Sequence, residues 1–221
     1  RQFSFNRKRW LSCCSSLLLM LLCLYSQTSL SQSITTTFAA GNGGASGWSV
    51  MYDATIGPQN LDITEFDVNS SAGVGTAFTL DFYTLVGSYV GNETNPGAWT
   101  LAGTGTGITA GQGNPSNVVL NTPVTVNAST TYGFAIVLTG AAPSYTDGNG
   151  ANQNYSNADI TLNLGLSTAG TFARGIFSPR VWNGTIIYTT ASGPTGPPND
   201  LCPDAITLTD GSSDTQNTTT A

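Results

Sequence analysis

No window of ten or more residues in this chain carries apolar side chains at 3.6-residue spacing without a Gly, a Pro or a β-branched cluster breaking it. Helical bundles and α/β folds need such windows, so the core has to be built from strands. The alternation is plainest at residues 76–85, where Phe78, Leu80 and Phe82 share one face and Thr79, Asp81 and Tyr83 the other. Residues 132–138 repeat it with both faces apolar, as a central strand requires. Further strands are predicted at 34–38, 48–52, 63–68, 98–101, 118–126, 160–164 and 181–188, with Pro123 making an edge or a break in its run. About nine short strands joined by Gly/Asn-rich turns predict an all-β fold, an antiparallel β-sandwich of jelly-roll type. A core of that length should fold without disulfides.

The side-chain inventory limits the chemistry. With no histidine among 221 residues, every Ser-His-Asp, Cys-His and His-metal site within one chain is excluded. Only 8% of residues are charged, against roughly 25% in an average domain. The cations are unevenly placed. Arg1, Arg7, Lys8 and Arg9 come first, and past them only Arg174 and Arg180 stand against all twelve acids, a balance of −10. Such a surface repels phosphate backbones and acidic leaflets, so neither a nucleic acid nor a peripheral membrane is expected as a partner.

The early cations lead into the apolar run 17–24, and Ser29-Leu30-Ser31 offers small residues at signal-peptidase spacing. Residues 1–31 therefore read as a signal peptide cut before Gln32, which predicts a secreted or cell-surface protein. A membrane anchor competes, but its apolar core of about 15 residues falls short of the ~20 that span a bilayer. A lipoprotein site at Cys23 is disfavoured by Leu22 before it. The chain lacks an initiator Met and is read as starting slightly late. Removing the leader takes Cys13, Cys14 and Cys23 with it, so Cys202 is left needing a partner beyond Ala221. The body of the chain is read as one β-sandwich domain over 32–190. A Pro/Gly linker at 191–200 follows it, and 201–221 reads as the truncated start of a second β module.

The segment Asn199-Asp200-Leu201-Cys202-Pro203-Asp204-Ala205-Ile206-Thr207-Leu208 resembles the N-D-x-C-x-x-A-I-x-L opening of a repeated β-sandwich module in large secreted bacterial surface proteins. The resemblance implies a non-catalytic module whose cysteine pairs with one further along. Two segments of the preceding domain, 93–101 and 177–185, look like the N-terminal β-sandwich of such proteins, a domain type with no activity attached.

Past the leader there is no His, Lys or core thiol, which leaves carboxylates for catalysis. Glu65 and Asp67 would project from one face of the 63–68 strand at about 6.6 Å, a separation that glycoside hydrolysis tolerates. Two solvated residues on an outward face explain the pattern equally. Asp147, Asn149 and Asp159, in a loop rich in Gly and Asn, are candidate calcium ligands because Ca²⁺ takes hard oxygens in flexible loops. Plain β-turns have the same composition, and the spacing is not that of an EF-hand. Tyr89, Trp99, Tyr145 and Tyr155 are candidate sugar-stacking rings, with Arg180 as a polar companion, while Trp48 and Trp182 are expected in the core. Arg180 beside Trp182 could equally be a structural cation–π contact. N-x-[ST] triplets start at Asn69, Asn92, Asn127, Asn154, Asn183 and Asn217, a number expected by chance in so Asn- and Thr-rich a chain. Together these features predict a non-catalytic extracellular β-sandwich module for adhesion or carbohydrate binding. Its partner would be an extracellular glycan or another surface protein. A carboxylate-dependent polysaccharide-degrading enzyme and a purely structural spacer are the alternatives.

Overall fold

The computed structural model describes residues 31–39 and 41–190. The leader, the Pro/Gly linker, Cys202 and the resemblance at 199–208 lie outside the described residues. Within them the chain forms β1 (Ser31–Thr35), β2 (Asn42–Gly43), β3 (Ser49–Ile56), β4 (Leu61–Val68), β5 (Ala77–Val86), β6 (Thr100–Ile108) and β7 (Ser116–Val126). There follow β8 (Thr131–Thr139), β9 (Ser144–Asp147), β10 (Asn154–Ser156), β11 (Ile160–Thr168), β12 (Ile176–Phe177), β13 (Arg180–Trp182) and β14 (Gly184–Thr190). One 3₁₀ turn, Pro96–Ala98, is the helical content of these residues. The all-β, antiparallel expectation is met.

Ten strands run β1-β14-β4-β7-β6-β5-β8-β3-β11-β10 in one sheet, with β12 added alongside β11. The meander β5-β6-β7 is flanked by β4 beside β7 and β8 beside β5, so two Greek keys share it. The sheet curls until its ends approach. Asn157 crosses the seam, its Nδ2 donating to the Ser33 carbonyl on β1 (3.2 Å) and to the Tyr188 hydroxyl on β14 (2.8 Å). The Tyr188 hydroxyl donates in turn to Asp159 Oδ2 at 3.1 Å. Its pKa is pushed up to about 12, first by burial and then by the negative charge of Asp159, against the lowering effect of the Asn157 bond.

β6 is the strand the sequence hides. Gly103, Gly105 and Gly107 alternate on its inner face, and their place is taken by side chains of the neighbouring strands. A Cβ on Gly107 would stand 2.7 Å from Phe78 Cζ and 2.8 Å from Val118 Cγ2. Glycine in a strand commonly marks a sharp bend or a close approach, and here it lets Phe78, Val118 and Leu120 close over the sheet where it turns. Pro123 lies in β7 where the register with β4 jumps from Val124 to Val119, so its missing N–H falls where no ladder partner waits. The expected break is thus a bulge inside a continuous strand.

Alternation sets the core. On β4, Leu61, Ile63, Phe66 and Val68 are buried, with a register shift between Ile63 and Glu65 restoring the inward phase. Five rings close a circuit at the centre. Tyr52 stacks on Trp182 at 5.4 Å and meets Phe134 edge-on at 5.9 Å, Phe134 meets Phe82 at 4.9 Å, and Phe66 touches Phe82 at 5.0 Å and Trp182 at 6.2 Å. Each such contact contributes about 0.5–1.5 kcal/mol beyond its buried area. Trp182 occupies the core as expected.

A second sheet of three short strands, β13-β9-β2, caps one end. The predicted strand at 181–188 is split between the two sheets at Asn183, which is fully buried. The Asn183 Nδ2 donates to the Ala39 carbonyl, and its Oδ1 accepts from Thr146 Oγ1 at 3.1 Å. Gly184 follows because a Cβ there would meet the Asp67 carbonyl at 2.5 Å. The polar residue and the missing side chain let one run of chain change sheets.

Candidate functional site

The crossover at Asn183 delivers β13 to β9 in a register that sets Arg180 opposite Asp147 and Trp182 opposite Tyr145. Trp182 thereby points into the core while Arg180 stays near the surface. Arg180 Nη1 reaches Asp147 Oδ1 at 2.9 Å and the Pro179 carbonyl at 2.9 Å. The same Asp147 oxygen accepts from Asn42 Nδ2 at 2.8 Å. The side chain of Arg180 is 17% exposed and that of Asp147 65%, so the pair is a surface contact that adds at most about 1 kcal/mol to stability.

The guanidinium lies between two rings, 5.6 Å from the centroid of Tyr145 and 6.0 Å from that of Phe177. Phe177 in turn stacks on Trp48 at 5.1 Å with only 10° between the planes. The order Trp48, Phe177, Arg180, Tyr145 is a ladder of one cation and three rings. Its inner end, Tyr145, is 1% exposed and belongs to the core cluster, so that ring has no free face. Its outer end, Trp48, packs on Gly44, where an added Cβ would stand 2.8 Å from the ring. Phe177 is 36% and Ile176 50% exposed, and Trp48 is half-buried instead of lying in the core as expected. Among the described residues Arg180 Nη2 has no protein partner, while its Nε is buried and unpartnered. Planar apolar faces beside a cationic donor edge, a carboxylate and an amide are what a sugar ring uses, with C–H on the rings and O–H on the polar groups.

The remaining candidates go elsewhere. Tyr89 and Trp99 sit together over the outer face of β3, β5, β8 and β11 in a satellite cluster with Met51, Tyr83, Ala135, Leu166 and Phe172. Trp99 is 8% exposed, stacks on Phe172 at 5.0 Å and donates Nε1–H to the Asn92 carbonyl at 2.9 Å, so it fastens its own loop. Tyr89 lies across Gly165, and its backbone N–H donates to Asp53 Oδ1 at 2.9 Å. Its phenol pKa is raised by burial and by the charges of Asp53 and Glu93. Tyr155 is half-buried on β10 against the main core.

The three candidate calcium ligands are divided. Asp147 is occupied by Arg180 and Asn42, Asp159 belongs to the seam with Tyr188, and Asn149 Oδ1 closes a local turn by accepting from Ala151 and Asn152 N–H groups. No group of three or more His, Cys, Asp or Glu is arranged to hold a metal ion among the described residues. Glu65 and Asp67 do share an outward face, where one Asn117 amide donates to both at 3.0 Å each. Of the N-x-[ST] triplets, Asn69 and Asn183 are buried polar struts, 1% and 0% exposed, and cannot carry a glycan once the chain has folded. A shallow groove of about 380 Å³ crosses the outer face of β5, β6 and β8, lined by Thr79, Thr106 and Thr139 with Ala77, Phe78, Gly107 and Ile108. It offers hydroxyls without an exposed ring or a charge, and none of the candidate residues lines it.

Sequence reasoning reached Tyr145, Arg180, Asp147 and Asn149 but missed Asn42 and Phe177 and assigned Trp48 to the core. The available signal was Ile176-Phe177 between Gly175 and Pro179, two large apolar residues in a stretch too short to be a core strand. No family model matches the chain, and no curated protein matches it.

Proposed function

We propose that this chain is an extracellular binding module that holds glycan at the Trp48–Phe177–Arg180 surface. The observation that carries the reading is a partly exposed, parallel aromatic pair placed against a guanidinium with a free Nη2 edge, flanked by Asp147 and Asn42. Glycan sites combine a stacking platform with a few convergent polar groups, and this cluster supplies both. The extracellular placement rests on the leader pattern at 1–31 and the surface-protein resemblance at 199–208.

A broad glycan array probed with the full chain, with and without Ca²⁺, tests the proposal. Phe177→Ala should abolish the signal while the far-UV spectrum is unchanged. Silence across the whole array would sink the glycan reading and leave protein adhesion or a spacer role.

A further inference from the structure

We infer that the sugar bound at this surface is anionic, carrying a carboxylate or a sulfate ester. The inference rests on the glycan reading of the same site and adds its substrate class. Of the described residues only two are cations, Arg174 and Arg180, and they lie six positions apart on the stretch that forms the site. Eight carboxylates are described, and seven are committed elsewhere. Asp62, Glu65 and Asp67 line β4, Asp81 lies on β5, Asp53 and Glu93 adjoin Tyr89, and Asp159 is at the seam. Only Asp147 faces the site, and Arg180 already neutralises it at 2.9 Å.

Arg174 is exposed and has no partner among the described residues. Its loop is closed by Ala169 N–H donating to the Gly175 carbonyl at 2.9 Å, and Thr171 Oγ1 donates to the Gly47 carbonyl at 3.1 Å, beside Trp48. The loop that leads from β11 into Ile176-Phe177 thus carries an exposed, unpartnered cation, and Arg180 keeps Nη2 free. Screening confines exposed charges to about 8 Å at physiological ionic strength, so this local excess of positive charge, not the acidic total, governs a ligand at contact. Guanidinium groups bind carboxylate and sulfate through paired N–H donors; Arg174 has such a pair free, while Arg180 offers Nη2.

The test uses the full chain against polygalacturonate, its fully methyl-esterified form, a sulfated galactan, and neutral xylan and β-glucan. Binding to polygalacturonate or the sulfated galactan should exceed binding to the esterified and neutral polymers and should weaken as NaCl is raised. Arg174→Gln should weaken it roughly 2- to 5-fold, the worth of one exposed ion pair, without changing any residual binding to the neutral polymers. A sulfate-only or carboxylate-only response identifies which anion is read. Equal binding to acidic and esterified polymers, or binding to neutral polymers alone, overturns the anionic inference and leaves the glycan reading standing. No binding to any of the five overturns both.

Discussion

The Trp99–Phe172 cluster and the Trp48–Phe177 pair use the same kind of contact, a Trp stacked on a Phe at 5.0 and 5.1 Å. They differ in what lies behind the rings. Trp99 and Phe172 are pressed onto Met51, Ala135 and Leu166, the Trp99 N–H is satisfied within its own loop, and no ring face remains. Phe177 is 36% exposed and lies 6.0 Å from a guanidinium, and Trp48 beside it is half-buried. A stacked pair whose polar and apolar valences are all filled by the fold is structural, whereas one that leaves them open is free to take a ligand.

Removing Trp99 should separate the two most sharply. Trp99→Ala is expected to cost about 3–5 kcal/mol, read as a lower urea midpoint, while glycan binding at the Trp48–Phe177 surface persists. If Phe177→Ala costs as much, the distinction between a filled and an open pair is wrong; its expected cost is about 1 kcal/mol or less. The strut that delivers Arg180 to the site comes between them. Asn183→Ala would leave the Ala39 carbonyl with only the long bonds from Asn69 Nδ2 (3.4 Å) and Thr146 Oγ1 (3.5 Å), and should cost about 1–3 kcal/mol together with a loss of binding. The smallest effect is alkaline. Tyr188 has a raised folded pKa of about 12, so the stability it contributes is intact below the unfolded value near 10 and is lost as pH rises through the folded one. Thermal melts should fall over that interval in the wild type and fall less in Tyr188→Phe, with the ligand surface untouched.

Much of this was legible in residue order. The expected strands at 63–68, 76–85, 118–126 and 132–138 match β4, β5, β7 and β8 to within two residues at either end, because alternating burial leaves a period-2 trace. The strand at 98–101 reached Ile108 unforeseen, since Gly103, Gly105 and Gly107 read as loop residues until neighbouring side chains are seen filling their space. β2, β9, β10 and β12 span two to four residues and leave no periodic trace at all. Tyr145 and Trp99 drew attention as rings among polar loop residues, yet both are buried, because burial of a loop aromatic depends on what folds over it.

Strand content, the absence of His-based chemistry and the concentration of the only two cations of the body of the chain at 174 and 180 are determined by the sequence alone, because each is local or additive along it. Tertiary structure decided which aromatics keep an open face and which carboxylate Arg180 neutralises. It also decided that Asn183, which reads as a strand residue inside a glycosylation triplet, is a buried strut that moves the chain from one sheet to the other. Those outcomes depend on contacts between residues 33 (Asp147 and Arg180) to 144 (Ala39 and Asn183) positions apart, which a curled sheet creates and no local pattern records.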